Sequence, residues 1–133
     1  MSNANVSLVQ SLYAAFGRGD IATVVAAMAP DVVWTLHGRP IDHPAMATAK
    51  GPQGVQKFFA IIADTQTATA FSPQQFYSVD DKVFVLGHYA WTMKKTGKKV
   101  DTDWVHIFTV KAGTVATFDE FADTAQFADA MRG

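Results

Sequence analysis

The chain has 133 residues, a formal net charge of −1 and 49% hydrophobic residues, with ten Phe and three Trp. That is the length of one ordinary domain with material for one substantial core, and residues 1–133 read as a single domain without repeat, linker or low-complexity tract. The absence of cysteine excludes disulfides, thiolate metal sites and cysteine nucleophiles.

Val6, Val9, Leu12, Tyr13 and Phe16 recur at helical spacing, with Asn5 placed to cap the start. Gly17-Arg18-Gly19-Asp20 stops that helix, and Asp20 can cap a second one carrying Ile21, Val24, Val25 and Met28, closed before Pro30. Val32-Val33-Trp34-Thr35-Leu36 is β-branched and aromatic, as a strand should be. The segment from His37 to Gly51 is the longest irregular one, broken by Gly38, Pro40 and Pro44, and is expected to edge a site or a subunit contact. Pro52 suits the first turn of a third helix, whose apolar face is Val55, Phe58, Phe59 and Ile62 and which ends near Asp64.

The rest reads as strands. Thr67–Val79 is interrupted at Pro73, which marks an edge or a bulge. Asp80-Asp81 turns into Lys82–Met93, Thr96-Gly97 into Val100–Val110, and Gly113 into Val115–Ala122. Thr124–Met131 predicts a short tail helix. Helices followed by a meander of long strands indicate an α+β domain with helices on one face.

The final hairpin places an imidazole and two carboxylates, His106, Asp119 and Glu120, among bulky apolar side chains, where desolvation shifts proton affinities. A two-residue turn at Ala112-Gly113 would force Ala112 to positive φ at a cost of about a kcal/mol. A three-residue loop, Lys111-Ala112-Gly113, asks it only of Gly113 and is the expectation. In that register His106 faces Phe118, and Trp104 faces Glu120. Trp104, His106, Phe108, Phe118 and Glu120 then share one face, with His106 and Glu120 diagonal, while Asp119 points to the other. Both faces are largely apolar, which predicts helices on one and a second subunit on the other.

Tyr13-Ala14-Ala15-Phe16-Gly17-Arg18-Gly19-Asp20, then Ala29-Pro30-Asp31-Val32-Val33-Trp34, Gly51-Pro52-Gln53-Gly54-Val55 and Phe118-Asp119-Glu120-Phe121-Ala122-Asp123-Thr124, follow one another in a telling order. Together they resemble the SnoaL-like, ketosteroid-isomerase-related branch of the nuclear transport factor 2-like superfamily, from about residue 6 to residue 130. The resemblance implies a cone in which three helices close a strongly bent, mostly antiparallel sheet around an apolar cavity, with homodimers formed on the convex face. The steroid-isomerase tyrosine falls near Leu12, one place from Tyr13. Its general-base Asp falls near Leu36, and its oxyanion-hole Asp falls at His106 or Val105. None is reproduced, so steroid isomerisation by that mechanism is rejected. The cavity carboxylate of the polyketide-cyclase members falls nearest Glu120.

His106 and Glu120 are the candidate acid–base pair, since a neutral imidazole exchanges a proton near pH 7 and a carboxylate orients it. A buried pair that merely satisfies itself is the competing reading. Tyr13, Trp34, Phe59, Trp104 and Phe118 are the candidate ligand-positioning aromatics. His37, Asp42 and His43 match no metal-ligand spacing and read as a loop at the cavity mouth or dimer contact. Asp101, Asp103, Asp119 and Asp123 read as sheet-edge charges, and the face of His88 is open. No glycine loop for phosphate is present, so no cofactor is implied. Lys94-Lys95-Thr96-Gly97-Lys98-Lys99 reads as a solvated turn and not a nucleic-acid patch. Met1–Asn5 lacks the features of a secretory signal, and no apolar run approaches the roughly 18 residues that span a bilayer. The expectation is a cytoplasmic protein with a small apolar ligand, acting as a cofactor-free isomerase, cyclase or hydrolase, or as a non-catalytic binding or dimerisation module.

Overall fold

A computed structural model describes residues 3–133. Four α-helices and six strands follow the order α1 (Asn3–Gly17), α2 (Ile21–Ala26), β1 (Met28–Leu36), β2 (Ala49–Lys50), α3 (Gly51–Thr65), β3 (Gln66–Val79), β4 (Lys82–Met93), β5 (Lys99–Lys111), β6 (Thr114–Ala122) and α4 (Thr124–Met131). One curved, open sheet has the order β2-β1-β6-β5-β4-β3, with β1 parallel to β6 and every other pairing antiparallel. This is the expected α+β architecture, with the tail helix α4 added to the three N-terminal ones. No helix among the described residues is long and apolar enough to cross a membrane.

Local chemistry explains most boundaries. Asp20 caps α2 by accepting from the Thr23 N–H at 3.1 Å and the Thr23 hydroxyl at 2.6 Å. Asn5 caps nothing, because α1 is already helical at Asn3. The second apolar stripe ends early: α2 stops at Ala26, and Met28 opens β1, four residues ahead of the expected start. Pro30 is tolerated there because the β1–β6 register is irregular between Met28 and Val33. Pro73 on edge strand β3 also sits beside a bulge, with the pairing shifting between Pro73 and Gln75. The lysine-rich turn docks on helix ends, Lys94 Nζ donating to the Ala63 carbonyl at 2.6 Å and Lys98 Nζ to the Arg132 carbonyl at 2.8 Å.

The β5–β6 hairpin departs from the expected register twice. Its turn has two residues, with Ala112 at φ 52° and Gly113 at φ 76°, so Lys111 pairs with Thr114. The hairpin's twist outweighs the local cost of a left-handed alanine. A bulge between Thr109 and Val110 then shifts the pairing once more. His106 therefore faces Glu120 directly, and Trp104 faces Ala122. The two one-residue offsets sum to two, which returns every side chain to its expected face.

The concave face carries the core. One cross-strand row runs Phe76, Val85, His106, Glu120 and Leu36 across five strands, and the next runs Val83, Phe108, Phe118 and Trp34. Helices α1 and α3 close over these rows, and Phe127 of α4 seals one end against Tyr89, with ring centroids 6.0 Å apart. The convex face has rows Tyr77, Phe84, Ile107, Asp119 and Gln75, Leu86, Val105, Phe121. Its Tyr77, Val79, Val33 and Phe121 are exposed.

Candidate active site

A cavity of about 70 Å³ lies between the concave sheet and the helices. At roughly 10–15 Å³ per water, that is room for about five waters or one small flat molecule. Aromatic and aliphatic side chains make most of its wall. The polar exceptions are Tyr13 from α1, Gln66 and Tyr89 from β3 and β4, and His106 and Glu120 from β5 and β6.

Four of these form a chain. The Tyr13 hydroxyl is 2.6 Å from Nδ1 of His106. Nε2 of His106 stands 3.1 Å from Oε1 of Glu120, but off the line of a hydrogen bond. Oε2 of Glu120 accepts a hydrogen bond from the Tyr89 hydroxyl at 2.7 Å. Burial, reinforced by the Glu120 charge, pushes the Tyr13 hydroxyl well above its ordinary pKa. Burial first and Glu120 second do the same to Tyr89. Both therefore remain phenols, able to donate. With His106 neutral and its hydrogen on Nε2, Tyr13 donates to Nδ1. When the imidazole is doubly protonated, Nδ1–H donates to the phenol oxygen and frees the Tyr13 hydrogen.

Tyr13, Trp34, Phe59 and Phe118 all line the cavity. Trp34 and Phe118 stack with centroids 3.8 Å apart, a consequence of their pairing across β1 and β6. Trp104 is corrected from a lining residue to a backing one. It is not among the lining residues, and its indole stacks on the His106 ring at 3.8 Å and 19°. It fits because its cross-strand partner is Gly87, where an added Cβ would come within 2.3 Å of the indole. Tyr13 is more than an aromatic wall, since it is the hydrogen-bond partner of His106.

Tyr89, Gln66, Gly87 and Phe127 escape the reading of the sequence. Strict alternation along Val83, Val85, Gly87, Tyr89, Trp91 and Met93 puts Tyr89 on the buried face, and that signal is visible in the chain. Gln66 has no such signal, because its role depends on a distant loop. That loop is also a correction: His43 is buried to 1% exposure and does not edge a mouth. Its Nδ1 accepts from the Ala45 N–H at 3.0 Å, and its Nε2 meets Oε1 of Gln66 at 2.8 Å. Burial lowers its pKa, with Gln66 and Glu120 opposing weakly. His37 lies on the other side of the sheet, 2.7 Å from Asp119 and stacked on Phe121, and Asp42 pairs with Arg39 and Arg132. The three residues thus take separate partners. His88 faces outward, bonded to Asp101 and Asp103.

Three buried indole N–H groups, of Trp34, Trp91 and Trp104, have no hydrogen-bond partner among the described residues. Trp34 and Trp91 lie in the cavity wall. A buried donor is normally satisfied, so unpaired ones in a cavity wall are what a polar ligand atom can use.

Known proteins of similar sequence and shape agree with this architecture. Uncharacterised proteins of Mycobacterium tuberculosis and Mycobacterium bovis are 30% identical over 129 residues, 92% of this chain and 92% of theirs. Nuclear transport factor 2-like proteins of Burkholderia xenovorans and Burkholderia pseudomallei, the latter of unknown function, superpose with TM-scores of 0.88 and 0.87 at 27% and 26% identity. These alignments cover 98% of this chain and 97% and 98% of the two structures. TerC, co-crystallised with polyporic acid, superposes with a TM-score of 0.84 at 24% identity, covering 96% of this chain and 97% of its own. Residues 9–118 match the family model of the SnoaL-like domain. With most of its length matched and its helices and curved sheet in the expected order, the chain belongs to the SnoaL-like domain family of the nuclear transport factor 2-like superfamily.

Proposed function

We propose that this protein binds a small, flat, largely apolar carbonyl compound in its cavity and catalyses proton transfer on it, as an isomerase or cyclase does. The observation that carries the reading is the Tyr13–His106–Glu120–Tyr89 chain set into an otherwise aromatic wall. A carbon next to a carbonyl loses its proton to Oε1 of Glu120, the carboxylate oxygen not bonded to Tyr89. In the tautomer with its hydrogen on Nδ1, His106 presents a bare Nε2 3.1 Å from that oxygen and takes the proton when the carboxyl turns to it. Nδ1–H then donates to the Tyr13 oxygen, which leaves the Tyr13 hydrogen for the ligand oxygen, where negative charge develops. The proton then returns at a second position, so the step is redox-neutral and needs no cofactor. TerC, of the same fold, was crystallised with an organic ligand.

Glu120→Gln keeps an acceptor for Tyr89 and removes the base, and His106→Ala removes the proton carrier. Each is expected to lower turnover by about 10²–10⁴-fold while ligand affinity changes little. A screen of cyclic ketones by solvent deuterium exchange at the α-carbon provides the assay. Exchange that is undiminished in both variants removes the pair from the chemistry. Ligand binding without exchange in the wild type favours the second reading, a non-catalytic binder, for which the hydrogen bonds of Glu120 to Tyr89 and of His106 to Tyr13 speak.

We also infer a homodimer through the convex face. Its rows of Tyr77, Phe84, Ile107 and Leu86, Val105, Phe121 make an apolar surface larger than scattered exposed residues would. Light scattering is expected to give twice the chain mass, and Phe121→Asp is expected to give the monomer. A monomeric wild type at micromolar concentration rules the dimer out.

A further inference from the structure

Away from the His106–Glu120 pair, one corner of the cavity holds donors that the protein leaves unused. A backbone group fixes their orientation. The Ala45 N–H can only donate, and it donates to Nδ1 of His43. Nε2 of His43 therefore carries the ring hydrogen and must donate to the oxygen of the Gln66 amide. The Gln66 NH₂ group is thereby turned away from His43, and it has no hydrogen-bond partner among the described residues. Gln66 is 4% exposed and lines the cavity.

Trp91 stands beside it. Gln66 pairs with Met93 and Ala68 with Trp91, so Gln66 and Trp91 are diagonal neighbours on the concave face. Trp91 is 6% exposed, lines the same cavity, and its indole N–H is unpartnered. Leaving the buried Trp91 donor unpaired is costly, and an acceptor oxygen of a ligand seated between the two groups would satisfy it and the Gln66 NH₂ together. That oxygen belongs to a neutral group, because the Glu120 carboxylate shares the cavity and repels an anion. The corner is also distinct from the reacting end, since Trp91 lies six positions along β4 from Val85, the cross-strand neighbour of His106.

We propose that Gln66 and Trp91 form a carbonyl-binding pole, and that the ligand is a neutral, flat dione with one oxygen at this pole and the other at Tyr13. This rests on the cavity being the ligand site. The pole selects for acceptor oxygens and against hydroxyl or amino groups at the same position, which would meet donor with donor.

The test is a titration of ¹⁵N-labelled protein with 1,4-naphthoquinone, 1-tetralone and naphthalene, which carry two, one and no carbonyl groups. Without cysteine, the chain offers the quinone no thiol. The dione is expected to shift the Trp91 indole and Gln66 amide resonances and to bind about tenfold or more tighter than naphthalene, with the ketone between. The Trp104 indole is equally unpartnered but outside the cavity lining, and it should stay in place. Trp91→Phe keeps a ring and loses the donor. Gln66→Glu keeps an acceptor for His43 and loses the NH₂ group. Each should weaken the dione about tenfold and leave naphthalene unchanged. Equal affinities for dione and hydrocarbon, or dione binding that leaves Trp91 and Gln66 unmoved, overturns the pole while the cavity stands. Failure of all three compounds to bind overturns the cavity reading and the pole with it. Should Gln66→Glu fail to fold, Trp91→Phe alone decides.

Discussion

His106 on the concave face and His88 on the convex face are each held by acidic side chains, yet they live under opposite conditions. His106 and Glu120 are 5% and 10% exposed at their side chains, whereas Asp101 and Asp103 around His88 are 70% and 91% exposed. Water screens the outer cluster, so its hydrogen bonds of 2.6 and 2.8 Å add little to stability. Inside, solvent screening is weak, and the polar atoms depend far more on their protein neighbours. Short distances alone therefore do not rank the two clusters. What surrounds them does.

The largest expected effect breaks the inner cluster. Glu120→Ala leaves the buried Tyr89 hydroxyl without its acceptor and His106 without its carboxylate neighbour, and should cost about 3–5 kcal/mol in urea unfolding. Asp103→Ala on the outer face should leave the unfolding midpoint within error. Comparable losses from the two variants would show that burial does not separate the faces.

The next effect sharpens the role of packing. Gly87→Ala pushes a methyl into the Trp104 indole, which backs His106. Overpacking should cost about 1–3 kcal/mol and displace the His106 ring resonances, because the stack has no room to yield. If the His106 resonances stay fixed while stability falls, Trp104 fills space without orienting the imidazole.

The same contrast explains what could be read from the chain. Strand limits followed from turn residues, and β4 and α4 begin and end where the sequence reading places them. The shared face of His106 and Glu120 followed from parity, which survived because the left-handed Ala112 and the bulge at Thr109–Val110 shift the register by one residue each. Their direct opposition did not follow, since a bulge answers to tertiary curvature and leaves no local mark. Tyr13 read as a wall residue because a helix stripe shows which side is buried but not which atom a hydroxyl meets. The His43–Gln66 contact joins a loop residue to the first residue of β3, 23 positions on and beyond α3, and nothing local announces it.

The smallest effect concerns pH, and here the two faces should differ in sign. Burial lowers the His43 pKa below its ordinary value of 6.5. The unfolded chain then binds more protons than the folded one as pH falls below that value, so His43 favours folding at neutral pH and its contribution is lost on acidification. His88 is the reverse: its hydrogen bond to Asp103, aided by Asp101, raises its pKa above 6.5. Its contribution is complete below the unfolded value and disappears as pH rises through the folded one. Thermal midpoints of the wild type, His43→Gln and His88→Gln between pH 5 and pH 9 separate the two. The gap between wild type and His88→Gln should be widest in acid and close as pH rises, and the gap for His43→Gln should be widest at neutral pH and narrow in acid. Gaps that move in the same direction would mean that the outer cluster, despite its solvent, behaves as a buried one.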